Sequence, residues 1–318
     1  MDRSIQSRSK EKRALPVDRL DIRILRELVA DVSRRSLQSD IRKSYAIVAQ
    51  KLGTTENTVR NRIDSLYAAG MILGWRLGIN PTVFGYQTSF LFFDVSLAGE
   101  KEDVLRKFRA IPGVLWIVDY FGNTAGVLIA HKDDKSLAKV LEPVRSILDS
   151  KVYTRVNNWF PEVNIHLTET DWEIIKSLRK NPRKPYTDLA GELGISVRTA
   201  RRRLRRLTRN NVLFIFPAVN LKKLEGAVPT ALAVFYSDSN VKSEVERRIM
   251  SKFGEFYLFT PSPEAMYGAY IFILPNLATA DEMRVWTNSS PGVINASVRP
   301  LVDFINLLDE SFEFRAKG

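Results

Sequence analysis

The chain has 318 residues, 45% of them hydrophobic, with a formal net charge of +12, no cysteine and two histidines. That length allows several domains with real cores. The missing cysteine excludes disulfides, thiolate zinc ligation and thiol catalysis and agrees with a cytoplasmic protein. With no run of about 18 apolar residues, no membrane span is expected.

Residues 1–14 form a basic tail of net +3 with no apolar stretch behind it, so it does not read as a secretory signal. Asp18-x-x-Asp21 is a capping signature that opens a helix carrying Ile24, Leu25 and Leu28. Asp31–Ser44, rich in Arg, Ser, Lys and Asp, reads as an extended surface loop. Tyr45, Ala49 and Leu52 mark a second helix that ends at Gly53, and Val59, Ile63 and Leu66 mark a third. The apolar run Met71–Leu77, ending at Asn80-Pro81, is too short for a helix and reads as a β wing packed on the helices. Beyond it, Thr88–Val95, Glu102–Ile111, Val114–Tyr120, Gly126–His131, Lys135–Leu148 and Val152–Trp159 give the order βαββαβ, the split βαβ arrangement.

The pattern then returns. Tyr45, Ala49, Leu52 and Gly53 reappear 141 residues later as Tyr186, Ala190, Leu193 and Gly194, and Val59, Ile63 and Leu66 as Ala200, Leu204 and Leu207. The first helix repeats at a spacing of 150, with Asp21, Ile24, Leu25 and Leu28 matching Asp171, Ile174, Ile175 and Leu178 behind a second capping signature, Thr168-x-x-Asp171. A second wing, Val212–Phe216, ends before Asn220. A second βαββαβ order follows in Thr230–Tyr236, Val241–Phe253, Phe256–Thr260, Ala269–Ile273, Ala278–Thr287 and Val293–Pro300. The expected fold class is α+β, a tandem duplication in which two winged helix-turn-helix domains alternate with two ferredoxin-like domains. The expected boundaries are 1–14 for the tail, 15–80 and 161–220 for the helix-turn-helix units (the latter with its linker), and 81–160 and 221–318 for the α+β units. The apolar sheet faces of the α+β units are expected to pack on each other, giving an intrachain pseudo-dimer, with exchange between two chains as the alternative.

The excess charge is unevenly placed. Residues 15–80 are net +4 and 167–220 net +7, whereas 81–166 are neutral and 221–318 are net −2. All the excess lies on the tail and the helix-turn-helix units, which points to a polyanion there. Seven arginines and no acidic residue lie between Ser196 and Arg209. Ala200, Leu204 and Leu207 form the apolar stripe of that helix, which leaves Arg198, Arg201, Arg202 and Arg205 on the opposite face. Like charges at i,i+4 repel, and no carboxylate relieves them. Double-stranded DNA is the expected partner. The aligned positions of the first copy are Asn57, Arg60, Asn61 and Asp64, residue types that pair with adenine, guanine and cytosine edges in the major groove. A merely solvated polar face is the alternative there. Four crowded arginines cannot all reach base edges, so phosphate contact is expected to dominate on the second helix.

This pairing of units resembles the leucine-responsive regulatory protein/AsnC (feast/famine) family over residues 17–160 and again over 167–310, most closely in Gly53–Gly70. The resemblance carries Leu-Asp at the first helix, Leu-Gly before the third and a Gly-led turn in the α+β unit. It implies a DNA-binding transcriptional regulator in which one chain mimics the family's usual dimer. The family's effector region is a Gly-Asp-Tyr-type turn between the second and third strands. It falls on Phe121–Ala125, where Gly122 is kept and the acidic positions are Asn and Ala. Gly122 and Asn123 are therefore where a small-molecule effector would bind on this resemblance; a plain hairpin turn is the alternative. The same two-unit plan occurs in siroheme decarboxylases, where histidine and arginine act on a tetrapyrrole. The histidines here are His131, ending an apolar strand, and His166, in the linker. No catalytic residues, metal ligands or cofactor are assigned, and the expectation is a non-enzyme. An architectural protein that coats DNA without sequence preference is the third reading.

Overall fold

A computed structural model describes residues 17–29, 43–95, 101–147, 153–157, 160–260 and 266–308. The tail and most of the expected Asp31–Ser44 loop lie outside the described residues. Each half holds three helices, a wing strand and an α+β unit. In the first half these are α1 (Arg19–Leu28), α2 (Tyr45–Leu52), α3 (Glu56–Ala68), β1 (Ile72–Ile79), β2 (Gln87–Asp94), α4 (Lys101–Phe108), β3 (Val114–Tyr120), β4 (Thr124–His131), α5 (Asp134–Ile147) and β5 (Tyr153–Asn157). The second half repeats the order as α6 (Glu169–Lys180), α7 (Tyr186–Glu192), α8 (Val197–Arg209), β6 (Leu213–Val219), β7 (Val228–Tyr236), α9 (Ser239–Phe253), β8 (Tyr257–Phe259), β9 (Tyr267–Leu274), α10 (Leu277–Asn288) and β10 (Val293–Asn306).

Local chemistry fixes the helix ends. Both expected capping boxes form, Asp18 with Asp21 and Thr168 with Asp171. The turns that lead into α3 and α8 pass through Gly53 at φ +67° and Gly194 at φ +63°, left-handed values that a Cβ disfavours. Thr55 and Ser196 then cap the next helix, each accepting from a backbone N–H at 3.1 Å. Val59, Ile63 and Leu66, like Ala200, Leu204 and Leu207, are buried.

The wings differ from the sequence reading, which places each on its own helices. Instead β1 and β6 pair with each other, antiparallel, as a two-stranded ribbon. A single wing strand would leave its backbone groups unpaired, and the partner strand supplies them. The ribbon also exchanges side chains between halves. Leu77 and Ile79 of β1 pack in the core of α6, α7 and α8 beside Ile174, Leu189 and Leu204. The first head meets the second α+β unit, where Ile22 and Leu25 of α1 share a cluster with Ile273 of β9 and Arg26 donates to the Gly254 carbonyl at 3.0 Å.

The eight remaining strands run in the order β5-β2-β4-β3-β10-β7-β9-β8. β10 joins the halves. Its Val293–Pro300 part pairs with β7, and its Leu301–Asn306 part pairs with β3 after an irregularity at Leu301/Asp303. The sequence pattern ends this strand at Pro300, because proline cannot donate to a ladder. Here Pro300 sits at the changeover and contributes its carbonyl, which accepts from Phe121 N at 2.8 Å.

The two units thus share a strand, a link that the repeat pattern does not reveal. Their inner faces still meet in one cluster that includes Phe90 and Phe92 from the first half, Ala231 and Ala233 from the second, and Phe214 and Phe216 from the ribbon. A cavity of about 610 Å³ lies between the ribbon and these faces. The helices α4 and α5 cover the other side of the first unit and α9 and α10 that of the second.

Candidate nucleic-acid interface

The two recognition helices α3 and α8 present their polar faces to solvent. Asn57, Arg60, Asn61 and Asp64 are exposed on α3, and Arg198, Arg201, Arg202 and Arg205 are exposed on α8. The four on α8 line a surface groove of about 440 Å³ together with Arg206 and Arg209. Among the described residues, none of Arg198, Arg201, Arg202 and Arg205 has a carboxylate partner within salt-bridge distance. The groove therefore holds uncompensated positive charge, the condition under which an anionic polymer binds by releasing counterions.

One contact is duplicated with the helices. The Arg60 guanidinium lies 5.5 Å from the centre of the Tyr45 ring, and Arg201 lies 5.3 Å from that of Tyr186. Each tyrosine opens the preceding helix, so the same cation–π contact orients one arginine per head. Arg60 also pairs with Glu56 at 2.8 Å. The position corresponding to Glu56 on α8 is Val197, and Arg201 keeps its full charge for a partner.

Arg203 and Arg206 play another part. Their Nη1 atoms lie 3.1 and 2.8 Å from the carboxylate oxygens of Asp171, whose side chain is fully buried. Burial pushes the Asp171 carboxyl up, but hydrogen bonds from the Thr168 backbone and hydroxyl and from both arginines outweigh it, and the group is held below the usual carboxylate range. These two arginines lock α8 against α6. Helical spacing leaves them off the face of Arg198, Arg201, Arg202 and Arg205 but does not say what they bind. The buried Asp171 at the capping position is the available signal, since a buried carboxylate requires a cation.

The two heads are in contact. The Arg183 guanidinium of the second lies 4.6 Å from the Trp75 ring centre and 5.2 Å from that of Tyr45, and its Nη2 donates to the Lys43 carbonyl at 3.2 Å. Together with the ribbon, this fixes the heads as a pair.

Gly122 and Asn123 sit exposed at the tip of the β3–β4 turn, with Gly122 at φ +78°. The buried Lys101 ammonium reaches under this turn. It donates to the carbonyls of Tyr120 and Gly122 and pairs with Asp119 at 2.6 Å. The Asn123 carbonyl accepts from Val95 N at 3.0 Å. These contacts build the turn.

His131 is buried, with Nε2 2.8 Å from Ser89 Oγ. This serine-histidine pair is not arranged as a nucleophile and its base. Ser89 gives its one proton to Asn157 Oδ1 at 2.7 Å and accepts from Arg155 Nε at 3.2 Å. His131 Nε2 therefore donates to Ser89 and is not free to take a proton from it. His166 is exposed, and its carbonyl accepts from Arg206. Among the described residues, no group of three or more His, Cys, Asp or Glu is placed to hold a metal ion, and no helix is long and apolar enough to cross a membrane.

Fold and site define a duplicated winged helix-turn-helix protein, and its sequence relatives make it similar to regulators of the Lrp/AsnC kind. A family model described as winged helix-turn-helix DNA-binding matches residues 167–213, the second head. The HTH-type transcriptional regulator Ptr1 of Methanocaldococcus jannaschii is 28% identical over 141 residues, 44% of this chain and 85% of that protein, so one half of the duplication corresponds to most of the relative. LrpA of Pyrococcus horikoshii is 40% identical over 50 residues, 16% of this chain and 36% of that protein. Among solved structures, the siroheme decarboxylase NirDL is 16% identical and covers 90% of this chain and 92% of its own, with a TM-score of 0.52. That likeness concerns the two-unit fold.

Proposed function

We propose that the chain is a sequence-specific regulator of transcription that binds double-stranded DNA through both heads. In this reading α3 reads base edges through Asn57, Arg60, Asn61 and Asp64. The helix α8 supplies phosphate and guanine contacts through Arg198, Arg201, Arg202 and Arg205. The observation that carries the reading is the uncompensated arginine groove on a helix in the recognition position. The relatives named as transcriptional regulators support it. The asymmetry between the helices supports a division of labour, with discrimination from the first head and affinity from the second.

The test is binding to a duplex selected from a random library and to its scrambled version, at one salt concentration. A preference for the selected duplex of at least about a thousandfold is expected of a specific regulator. Equal binding to both would assign an architectural role instead.

A decarboxylase reading rests on the fold likeness to NirDL. Against it, neither His131 nor His166 lines the cavity between ribbon and sheet. A Soret band in the purified protein would favour that reading, and colourless protein that binds DNA specifically would favour regulation.

A further inference from the structure

We infer that the cavity between the β1–β6 ribbon and the sheet is a binding site for an apolar, ring-bearing organic anion, held by the Arg299 guanidinium and the Tyr120 hydroxyl.

The cavity arises from the way the two halves have diverged. In the 141-residue register, Ala231 and Ala233 of β7 stand where the first half has Phe90 and Phe92 of β2, and all four belong to one core cluster. The first half fills its side of the core with rings; the second leaves the space open. An unfilled void forgoes dispersion contacts along its whole lining. At about 610 Å³, this one is in the range of pockets that take small organic ligands.

Its walls favour rings. Phe92, Trp116, Phe160, Phe214 and Phe216 line it together with the small side chains of β7 and β9. The lining carries further charged groups, Arg76, Arg109, Lys222 and Asp303, the last two paired with each other at 3.2 Å, and two of its polar residues stand beside the rings. Arg299 of β10 lies 4.9 Å from the Phe92 ring centre and donates to Ser297 Oγ at 2.6 Å. No carboxylate pairs with it among the described residues, and four of its five N–H groups are not used by that bond. Tyr120 is 4% exposed and lines the cavity, and its hydroxyl has no hydrogen-bond partner among the described residues. Burial pushes its phenol well up, so the group stays a protonated donor. A cation and a neutral donor facing one apolar space complement an anion on an aromatic or alicyclic body. Exposed lining residues, Leu73 at 66% and Arg109, mark the mouth through which such a molecule enters. Because Arg299 and Tyr120 both lie on the sheet, the site stands whether or not the heads bind DNA.

The probe is 8-anilinonaphthalene-1-sulfonate, with the uncharged N-phenyl-1-naphthylamine as its control, followed by fluorescence on the full-length protein. One sulfonate per chain should bind with blue-shifted emission. Arg299→Gln and Tyr120→Phe should each weaken it about tenfold, as expected for a hydrogen bond to a charged group. The uncharged probe should bind wild type and Arg299→Gln alike. Ala233→Trp, which fills the cavity, should abolish both. Absence of stoichiometric binding, or Arg299→Gln and Tyr120→Phe affinities equal to wild type for the sulfonate, would overturn the assignment. So would undiminished binding in a folded Ala233→Trp variant. If Ala233→Trp loses its cooperative melting, the Arg299 and Tyr120 variants still decide.

Discussion

Arg206 Nη1 lies 2.8 Å from Asp171 Oδ2, and the position corresponding to Arg206 in the first head is Ser65, whose hydroxyl turns to the Asn61 carbonyl at 2.8 Å. The duplicated buried aspartates therefore have different surroundings. Asp171 has two arginines and the Thr168 hydroxyl. Asp21 has Arg62 at 3.4 Å and a second carboxylate, Asp18, in its capping box. Burial pushes Asp21 up and the Asp18 charge adds to it, beyond what the Asp18 N–H and Arg62 recover, while Asp171 is held down.

The first prediction follows from that contrast. Asp171→Asn leaves two arginines without their buried anion and should destabilise the second head by about 3 kcal/mol. Asp21→Asn should cost about 1 kcal/mol. The pH response has opposite signs. Asp171 binds its proton more weakly folded than unfolded, so its stabilisation is present above the ordinary Asp value and is lost below about pH 4. Asp21 binds its proton more tightly folded, so acidification through its raised value relieves the first head. Backbone hydrogen exchange should rise in α6 before α1 as pH falls; simultaneous opening would contradict this.

The second prediction concerns base reading. Asn57→Ala or Asn61→Ala should cost ~1–3 kcal/mol on the selected duplex and much less on a scrambled one. Equal weakening on both duplexes would show that α3 does not read bases.

The third prediction concerns His131. Burial lowers its pKa and Arg155 adds to the effect, against weaker support from Asp133 and Asp134. Below about pH 6.5 the unfolded chain takes up a proton that the folded one refuses, so stability falls. Between pH 7 and 5, the urea midpoint of the wild type should therefore drop further than that of His131→Gln. Identical drops would mean that His131 titrates normally.

Much of this is readable from the chain because local rules set it. Capping signatures, the glycines at the helix-turn-helix turns and the 3.6-residue stripes of α3 and α8 act within a few residues, and the duplication doubles each signal. What escapes depends on partners far apart in sequence. The pairing of β1 with β6 joins strands about 140 residues apart, and β10 continues past Pro300 because β3 lies alongside it. Spacing leaves Arg203 and Arg206 off the arginine face, but their partner Asp171 lies more than 30 residues away and appears only in the fold. The exposed residues named on both recognition helices are where the stripes place them, since a helix with one buried face leaves little choice for the other. The cavity is invisible in the chain, because Ala231 and Ala233 read as ordinary strand residues until they face Phe214 and Phe216.

The central claim is that the arginine face of α8 lies on DNA, and the salt dependence of binding tests it most directly. Replacing Arg201, Arg202 and Arg205 by Gln leaves the stripe of Ala200, Leu204 and Leu207 and the Asp171 pairs intact, and Gln has a helix propensity close to that of Arg. The slope of log affinity against log salt should flatten by up to ~0.9 for each phosphate that is no longer neutralised, with selected and scrambled duplexes weakened about alike. A folded triple variant that keeps the wild-type slope would place the arginine face away from DNA and contradict the account.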